Sequence, residues 1–230
     1  MLPPCAFVSF LQNHDQVGNR AFGERIGALA DEPAVRAAAA VVLLAPPPPL
    51  VFMGEEFASR QPFQFFSDFG ADIAAAVTAG RRREFARFAR FAEPAARESI
   101  PDPNAAATYE RSKLDWDSLL EAAHHDWLVF YRRLLRLRRE QIVPRLAGMP
   151  GGAAVFRQLG ETGLQVRWRL GDGAELVLLT NLGAAPLPVT AAQLPAGEPL
   201  YAEPASLAVQ PAAQRLPPWS VLWSVHPGTA

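Results

Sequence analysis

Cys5-Ala6-Phe7-Val8-Ser9-Phe10-Leu11 is a nearly unbroken apolar run, and five polar residues, Gln12-Asn13-His14-Asp15-Gln16, follow it without a gap. A short apolar run that does not alternate predicts a strand covered on both faces, as in a parallel sheet. A polar loop from Gln12 to Arg20 leads into a helical stretch over about 22–44. Within it, Asp31 is placed to cap a second segment and Pro33 falls in that segment's first turn. Pro46 to Pro49 end the helix, because proline has no amide donor and disfavours helix before it. Leu50-Val51-Phe52-Met53 then predicts a second buried strand, with Gly54-Glu55-Glu56 at its C-terminal end. Strand, helix, strand, helix is the order that builds parallel α/β sheets.

An aromatic loop follows, with Phe57, Phe63, Phe65, Phe66 and Phe69. Helices are predicted near 71–90 and 115–142. The second carries Leu128, Tyr131, Leu134, Leu135 and Leu137 at helical spacing, and its arginine-rich last turns suit the negative end of the helix dipole. After Pro150-Gly151-Gly152 the pattern changes to short β-type runs: AAVFRQL, GLQVRWRL, AELVLLTNL, PLPVT and SVLWSV. Glu161-Thr162-Gly163 and Gly171-Asp172-Gly173 read as hairpin turns. The expected fold class is therefore α/β plus all-β. Residues 1–148 form an α/β part and 149–230 a small antiparallel β-sandwich. Two strands cannot close a parallel barrel, which takes about 250 residues of its own, so further strands are expected to complete the first part.

The bulk composition narrows the function. Half the residues are hydrophobic, a fifth are charged, and the net charge is -1 from 22 basic and 23 acidic residues. No strong field favours nucleic acid or an anionic membrane. Arg81-Arg82-Arg83 is too short to change that and reads as a solvated helix face. The one cysteine, Cys5, completes neither a disulfide nor a Cys-rich zinc site. It reads as a small core residue in a reducing, cytoplasmic compartment. The start of the chain shows no basic region or cleavage site typical of a signal peptide. The most apolar stretch, 37–53, is cut by four prolines into halves too short to span a bilayer.

In parallel α/β folds, chemistry gathers where strands end. Two polar clusters lie there: Asn13-His14-Asp15-Gln16 and Glu55-Glu56. The first offers donors and acceptors that match sugar hydroxyls, and the aromatic loop offers apolar faces for sugar rings. Asp15 with Glu55 or Glu56 could form the carboxylate pair of a glycosidase. Alternatively, Asp15 orders its loop or pairs with Arg20 or Arg25. Glu55 and Glu56 are then helix-start carboxylates or salt-bridge partners. His124 and His125 sit on a predicted helix as surface or packing residues. No spacing of histidine, cysteine and carboxylates singles out a metal site, and no nucleotide-binding or nucleophile-elbow motif is present.

Phe7-Val8-Ser9-Phe10-Leu11-Gln12-Asn13-His14-Asp15 resembles the fourth signature region of the α-amylase family, glycoside hydrolase family thirteen. Leu50-Val51-Phe52-Met53-Gly54-Glu55-Glu56 resembles that family's eighth barrel strand and its loop. Longer strings resemble the trehalohydrolase branch: Gln12 to Arg25, Pro62 to Phe69, Gly80 to Phe85, Ile100 to Asn104 and Ser112 to Trp116.

The resemblance implies strands seven and eight of a (β/α)8 barrel followed by a C-terminal β-sandwich. It also implies a cofactor-free retaining α-glycosidase that cleaves the α-1,4 bond next to a terminal trehalose of maltooligosyl trehalose or a related α-glucan. Asp15 would then be the transition-state stabiliser, His14 a hydroxyl-binding neighbour, Asn13 and Gln16 shapers of the same subsite, and Arg20 a further contact. The family's nucleophilic Asp and acidic Glu lie in other signature regions. The chain alone is therefore expected to be inactive, and to pair with the missing barrel part or to self-associate. A non-catalytic glucan-binding module and a fragment of a branching enzyme are the rival readings.

Overall fold

The computed structural model describes residues 1–195, 199–208 and 214–228. In chain order the elements are β1 (Ser9–Phe10), α1 (His14–Gly18), α2 (Glu32–Leu44), β2 (Pro49–Leu50), α3 (Ala71–Glu84), α4 (Pro94–Glu98), α5 (Ala106–Arg111) and α6 (Ala122–Leu137). Then come β3 (Ala154–Leu159), β4 (Gly163–Arg169), β5 (Glu175–Asn181), β6 (Leu187–Pro188), β7 (Tyr201–Glu203), β8 (Arg215–Leu216) and β9 (Ser220–His226). They fall into two compact units. One comprises Met1–Leu11, Asp31–Leu50 and Val129–Ala230; the other comprises Gln12–Ala30 and Val51–Leu128.

In the first unit, β1 and β2 pair in parallel, Ser9 opposite Pro49 and Phe10 opposite Leu50. Each is two residues long, shorter than the predicted runs. The ladder has no third strand among the described residues, so neither strand has a partner on its outer edge. Phe7 and Val8 are 54% and 58% exposed, where strands buried on both faces were expected. Cys5 is likewise an exposed free thiol rather than a core residue.

The antiparallel part follows the predicted runs closely. Five strands form one sheet in the order β3-β4-β5-β9-β7. The central strand β5 buries Leu176, Val177, Leu178 and Leu179 together, which explains why its sequence does not alternate. Trp168 on β4 stacks on the fully buried Trp223 of β9, with ring centroids 5.6 Å apart. The two-stranded β6-β8 ladder packs on the sheet through Leu187, Leu216, Leu179 and Leu222. Of PLPVT only Leu187–Pro188 is strand. Thr190 and Gln193 then form a reciprocal capping box on a 3-10 turn at Ala191–Gln193.

The first hairpin turns one step earlier than predicted. Gly163 pairs with Leu159 inside the ladder, and Gly160 takes the positive φ of 59°. The second turn is as predicted. Gly173 has φ 85°, and the Asp172 carboxylate accepts from the Ala174 amide at 3.0 Å.

Helix α2 stops where the prolines begin. Its last carbonyls then face a run with no amide hydrogens, and Arg138 supplies the donors instead. The buried Arg138 guanidinium donates to the carbonyls of Leu43 (3.3 Å), Ala45, Pro46 (3.0 Å) and Pro47 (3.0 Å). Burial lowers its pKa. Arg138 opens the π-helical turn at Arg138–Ile142 that follows α6, and from there it serves the carbonyls of a neighbouring helix. Helix α2 is also tied to β7. Arg36 pairs with Glu203 at 3.4 Å, and Glu203 accepts from the Tyr201 hydroxyl at 2.6 Å.

In the second unit the predicted helix over 22–44 is absent before α2. Residues 22–30 hold only a 3-10 turn at Ile26–Ala28. Gly23 explains the break: its φ is 68°, and a Cβ there would lie 2.4 Å from the Phe63 carbonyl oxygen. Helix α3 ends at Glu84 and gives way to 3-10 turns, with Phe85, Phe91 and Ile100 forming a small core. The helix predicted from 115 starts as α-helix only at Ala122, after a 3-10 turn at Asp117–Leu120. No helix among the described residues is long and apolar enough to cross a membrane.

Candidate functional site

Where a polar loop was expected, His14–Gly18 form the short helix α1, because Asn13 caps it; His14, Asp15 and Gln16 make its first turn. Asn13 is extended and caps the helix, its side-chain oxygen accepting from the Gln16 amide at 2.8 Å. The Asp15 carbonyl accepts from the Asn19 amide at 2.9 Å. Val17 and Gly18 face inward, so His14, Asp15 and Gln16 face solvent. His14 Nε2 lies 3.5 Å from an Asp15 carboxylate oxygen, and both side chains are 70% exposed. Arg20 lies one turn on, but its guanidinium turns to Glu24 at 3.3 Å. Asp15 thus has His14 beside it and pairs with neither Arg20 nor Arg25. An exposed carboxylate, an imidazole and an amide on one turn make a surface able to hydrogen-bond a polyhydroxyl ligand.

This turn is held from beneath by groups that sequence reading passed over. The buried side-chain oxygen of Gln12 accepts from the Ile26 amide at 3.1 Å. Arg81 is buried, and one of its nitrogens donates to the Gly18 and Arg20 carbonyls at 2.7 and 2.8 Å. Its guanidinium also lies 4.9 Å from the centroids of both Phe65 and Phe85. The solvated-face reading therefore fails for this member of the arginine run. A sequence signal existed: Ala74, Thr78, Arg81 and Phe85 recur at helical spacing, so Arg81 falls on the packed face of α3.

Arg25 is the second buried guanidinium. It donates to the carbonyls of Gln61 at 2.6 Å and Met53 at 2.7 Å, and sits 5.1 Å from the Phe52 ring centroid. Burial lowers its pKa, and the charges of Glu55 and Glu56 act in the opposite direction. Both glutamates stand in the first turn of a 3-10 helix at Glu55–Phe57, entered through Gly54 at φ 81°. The buried His124 packs inward, its Nδ1 donating to the Phe57 carbonyl at 2.7 Å, while His125 is exposed.

The string from Ile100 to Asn104 is a tether. Asp102 accepts from the Thr78 hydroxyl at 2.6 Å and from the Asn104 amide at 3.0 Å. The Thr78 bond is the main reason its carboxyl titrates below the usual carboxylate range. Asn104 in turn donates to the Ala74 carbonyl at 3.0 Å. The aromatic loop forms a chain of edge-to-face contacts, Phe52 to Phe63, Phe63 to Phe66 and Phe66 to Tyr109, at 5.2, 5.6 and 5.2 Å. Among the described residues no group of three or more His, Cys, Asp or Glu could hold a metal ion.

The chain is 40% identical over 193 residues to a malto-oligosyltrehalose trehalohydrolase of Deinococcus radiodurans, covering 82% of this chain and 30% of that protein. This chain resembles the C-terminal portion of the malto-oligosyltrehalose trehalohydrolases. A second such protein, from Arthrobacter ramosus, is 45% identical over 140 residues, covering 60% of this chain and 24% of the relative. The chain thus spans less than a third of the length of these trehalohydrolases. Residues 151–223 match the family described as Domain of unknown function (DUF3459). A crystal structure of a putative alpha amylase from Salmonella typhimurium superposes with a TM-score of 0.86 at 39% identity, covering 98% of this chain and 36% of that one. The trehalohydrolase relatives and the amylase neighbour support a glycosidase-family resemblance and an all-β C-terminal part joined to helices.

Proposed function

We propose that this chain is the C-terminal part of a glycoside hydrolase that cleaves the α-1,4 bond next to the terminal trehalose of maltooligosyl trehalose. The observation that carries the reading is the 40% identity, over 82% of the chain, to a protein of that name. In this reading residues 1–148 belong to a (β/α)8 barrel, with β1 and β2 as its strands seven and eight, and 149–230 form the C-terminal β domain. The match of 151–223 to one family model supports that boundary. Asp15 is the transition-state stabiliser of a retaining mechanism. Its exposed carboxylate hydrogen-bonds ring hydroxyls and opposes the positive charge that develops at the sugar; contacts that strengthen there raise the rate. His14 and Gln16 contact the same sugar, Asn13 fixes the turn that presents them, and Arg20 reaches it by leaving Glu24. The compartment is cytoplasmic, where an exposed thiol such as Cys5 stays reduced.

The nucleophile and general acid come from other barrel strands, and the exposed faces of β1 and β2 are where that barrel packs. The test mixes this chain with a polypeptide that supplies those strands and assays trehalose release from maltooligosyl trehalose. Release on mixing, and none from the chain alone, is the expected outcome. Release by the chain alone, abolished by Asp15→Asn, would show that it carries its own nucleophile and acid and would overturn this division of labour.

A further inference from the structure

A groove of about 570 Å³ in the second unit lies between α3 and the segment that runs from the end of α4 to Asn104. None of the five predicted site residues lines it. On the α3 side the small residues Ala74, Ala75 and Ala79 line the groove and leave its space unfilled. Its charged residues are Arg82, Arg83, Arg97, Glu98 and Asp102, three cations with two carboxylates.

Bonds inside the groove fix some of these groups and leave others unbonded. Arg82 donates to one Glu98 oxygen at 2.7 Å, while its Nε is buried without an acceptor among the described residues. One Arg97 nitrogen donates to the Phe91 and Ala92 carbonyls at 2.9 and 2.7 Å, which holds that guanidinium in place. Arg83 is exposed and makes neither an ion pair nor a hydrogen bond among the described residues. Asp102 accepts from the Thr78 hydroxyl, the Asn104 amide and the Asn104 side chain, and all three bonds end on the same carboxylate oxygen. Its other oxygen has no donor among the described residues. The groove therefore presents guanidinium donors and one carboxylate acceptor on a fixed frame.

We propose that this groove binds a phosphate monoester of a small polyhydroxyl compound, with the phosphate on Arg83 and Arg97 and a hydroxyl on the second oxygen of Asp102. Planar guanidinium groups match phosphate oxygens two at a time. A bare phosphate would meet the negative charge of Asp102 and Glu98 with nothing to offer it. A hydroxyl carried on the same molecule turns Asp102 into a hydrogen-bond acceptor, because a carboxylate only accepts. The volume also falls within the range of small-ligand sites, roughly 300–1,000 Å³, and leaves room for a carrier beside the phosphate.

Isothermal titration of the 230-residue chain with glucose 6-phosphate at low ionic strength tests this, with inorganic phosphate and glucose as the two halves of the probe. Glucose 6-phosphate should bind more tightly than inorganic phosphate, and glucose should not bind at this groove. Arg83→Ala should weaken glucose 6-phosphate binding about tenfold, the size expected when a charge-assisted hydrogen bond is lost. Arg83→Lys should recover only part, since an ammonium lacks the planar fork. Arg87→Ala, an exposed arginine outside the groove, should leave binding unchanged. Circular dichroism confirms that each variant is folded. No binding of glucose 6-phosphate by the unsubstituted chain overturns the proposal. So does an equal loss in Arg83→Ala and Arg87→Ala, which would mean general attraction to positive charge. Equal affinity for inorganic phosphate and glucose 6-phosphate would overturn the part given to Asp102. Binding is read without the trehalose-release assay and at residues outside the proposed glycosidase site, so this proposal and the hydrolase reading fail separately.

Discussion

The β1-β2 ladder and the β5-β9 ladder are built from similarly apolar sequence and end in opposite environments. Strands β5 and β9 pair over seven residues, and Leu176, Leu178, Val221 and Trp223 are almost fully buried. Strands β1 and β2 pair over two residues and leave Phe7, Val8 and Leu50 exposed. The difference lies in the neighbours: β5 has a strand on each side, and β1 has one neighbour in all among the described residues. An apolar run states that a strand needs covering, and the rest of the fold decides whether it is covered.

Substitutions at the two ladders should therefore differ most in stability. Trp223→Ala removes the largest fully buried side chain and the stack with Trp168. It should cost about 3–5 kcal/mol in denaturant unfolding. A loss below about 1 kcal/mol would mean that this sheet is not the stable core that its burial implies.

Arg138→Met ranks next. It leaves the Leu43, Ala45, Pro46 and Pro47 carbonyls without their donor, which should cost about 2–4 kcal/mol. Arg138→Lys should recover only part of that, because an ammonium lacks the guanidinium fork that spans four carbonyls.

Asp102 gives a smaller, pH-dependent effect. Its folded pKa lies below the unfolded one, so its contribution is full above the ordinary carboxylate range and is lost as pH falls through the lowered value. Asp102→Asn should lower the melting temperature at pH 7, and the gap between variant and parent should close in acid. A gap that stays constant from neutral pH into acid would contradict the assigned hydrogen bonds.

Phe7→Ser and Val8→Ser should have the smallest effect, within about 0.5 kcal/mol. Both should reduce self-association of the chain, measured by sedimentation, since they remove exposed apolar side chains just ahead of β1. A loss as large as that of Trp223→Ala would mean that β1 is covered after all.

Features carried by local chemistry were readable in the sequence. The end of α2 at the prolines, the Gly171–Gly173 turn, and the runs that became β3, β4, β5 and β9 all follow from nearby residues. So does the clustering of Asn13, His14, Asp15 and Gln16 on one turn. What escaped depends on distant acceptors. Arg81 reads as part of a solvated face, Arg25 as a partner for Asp15 and Arg138 as a charge at a helix end, because the carbonyls that bury them lie 28 to 95 residues away. The Glu161-Thr162-Gly163 turn falls one residue earlier in the structure because the ladder register that sets it is a property of the strand pair, not of the turn alone. Burial of β1 was overestimated for the same non-local reason.

The most direct test replaces the matching residues of the Deinococcus radiodurans relative with this chain and follows trehalose release from maltooligosyl trehalose. The chimera should be active, and Asp15→Asn should lower kcat by roughly 10²–10³-fold, the size of effect seen when a transition-state charge loses a preorganised partner, with little change in KM. An active chimera that keeps its kcat after Asp15→Asn would contradict the role assigned to that carboxylate.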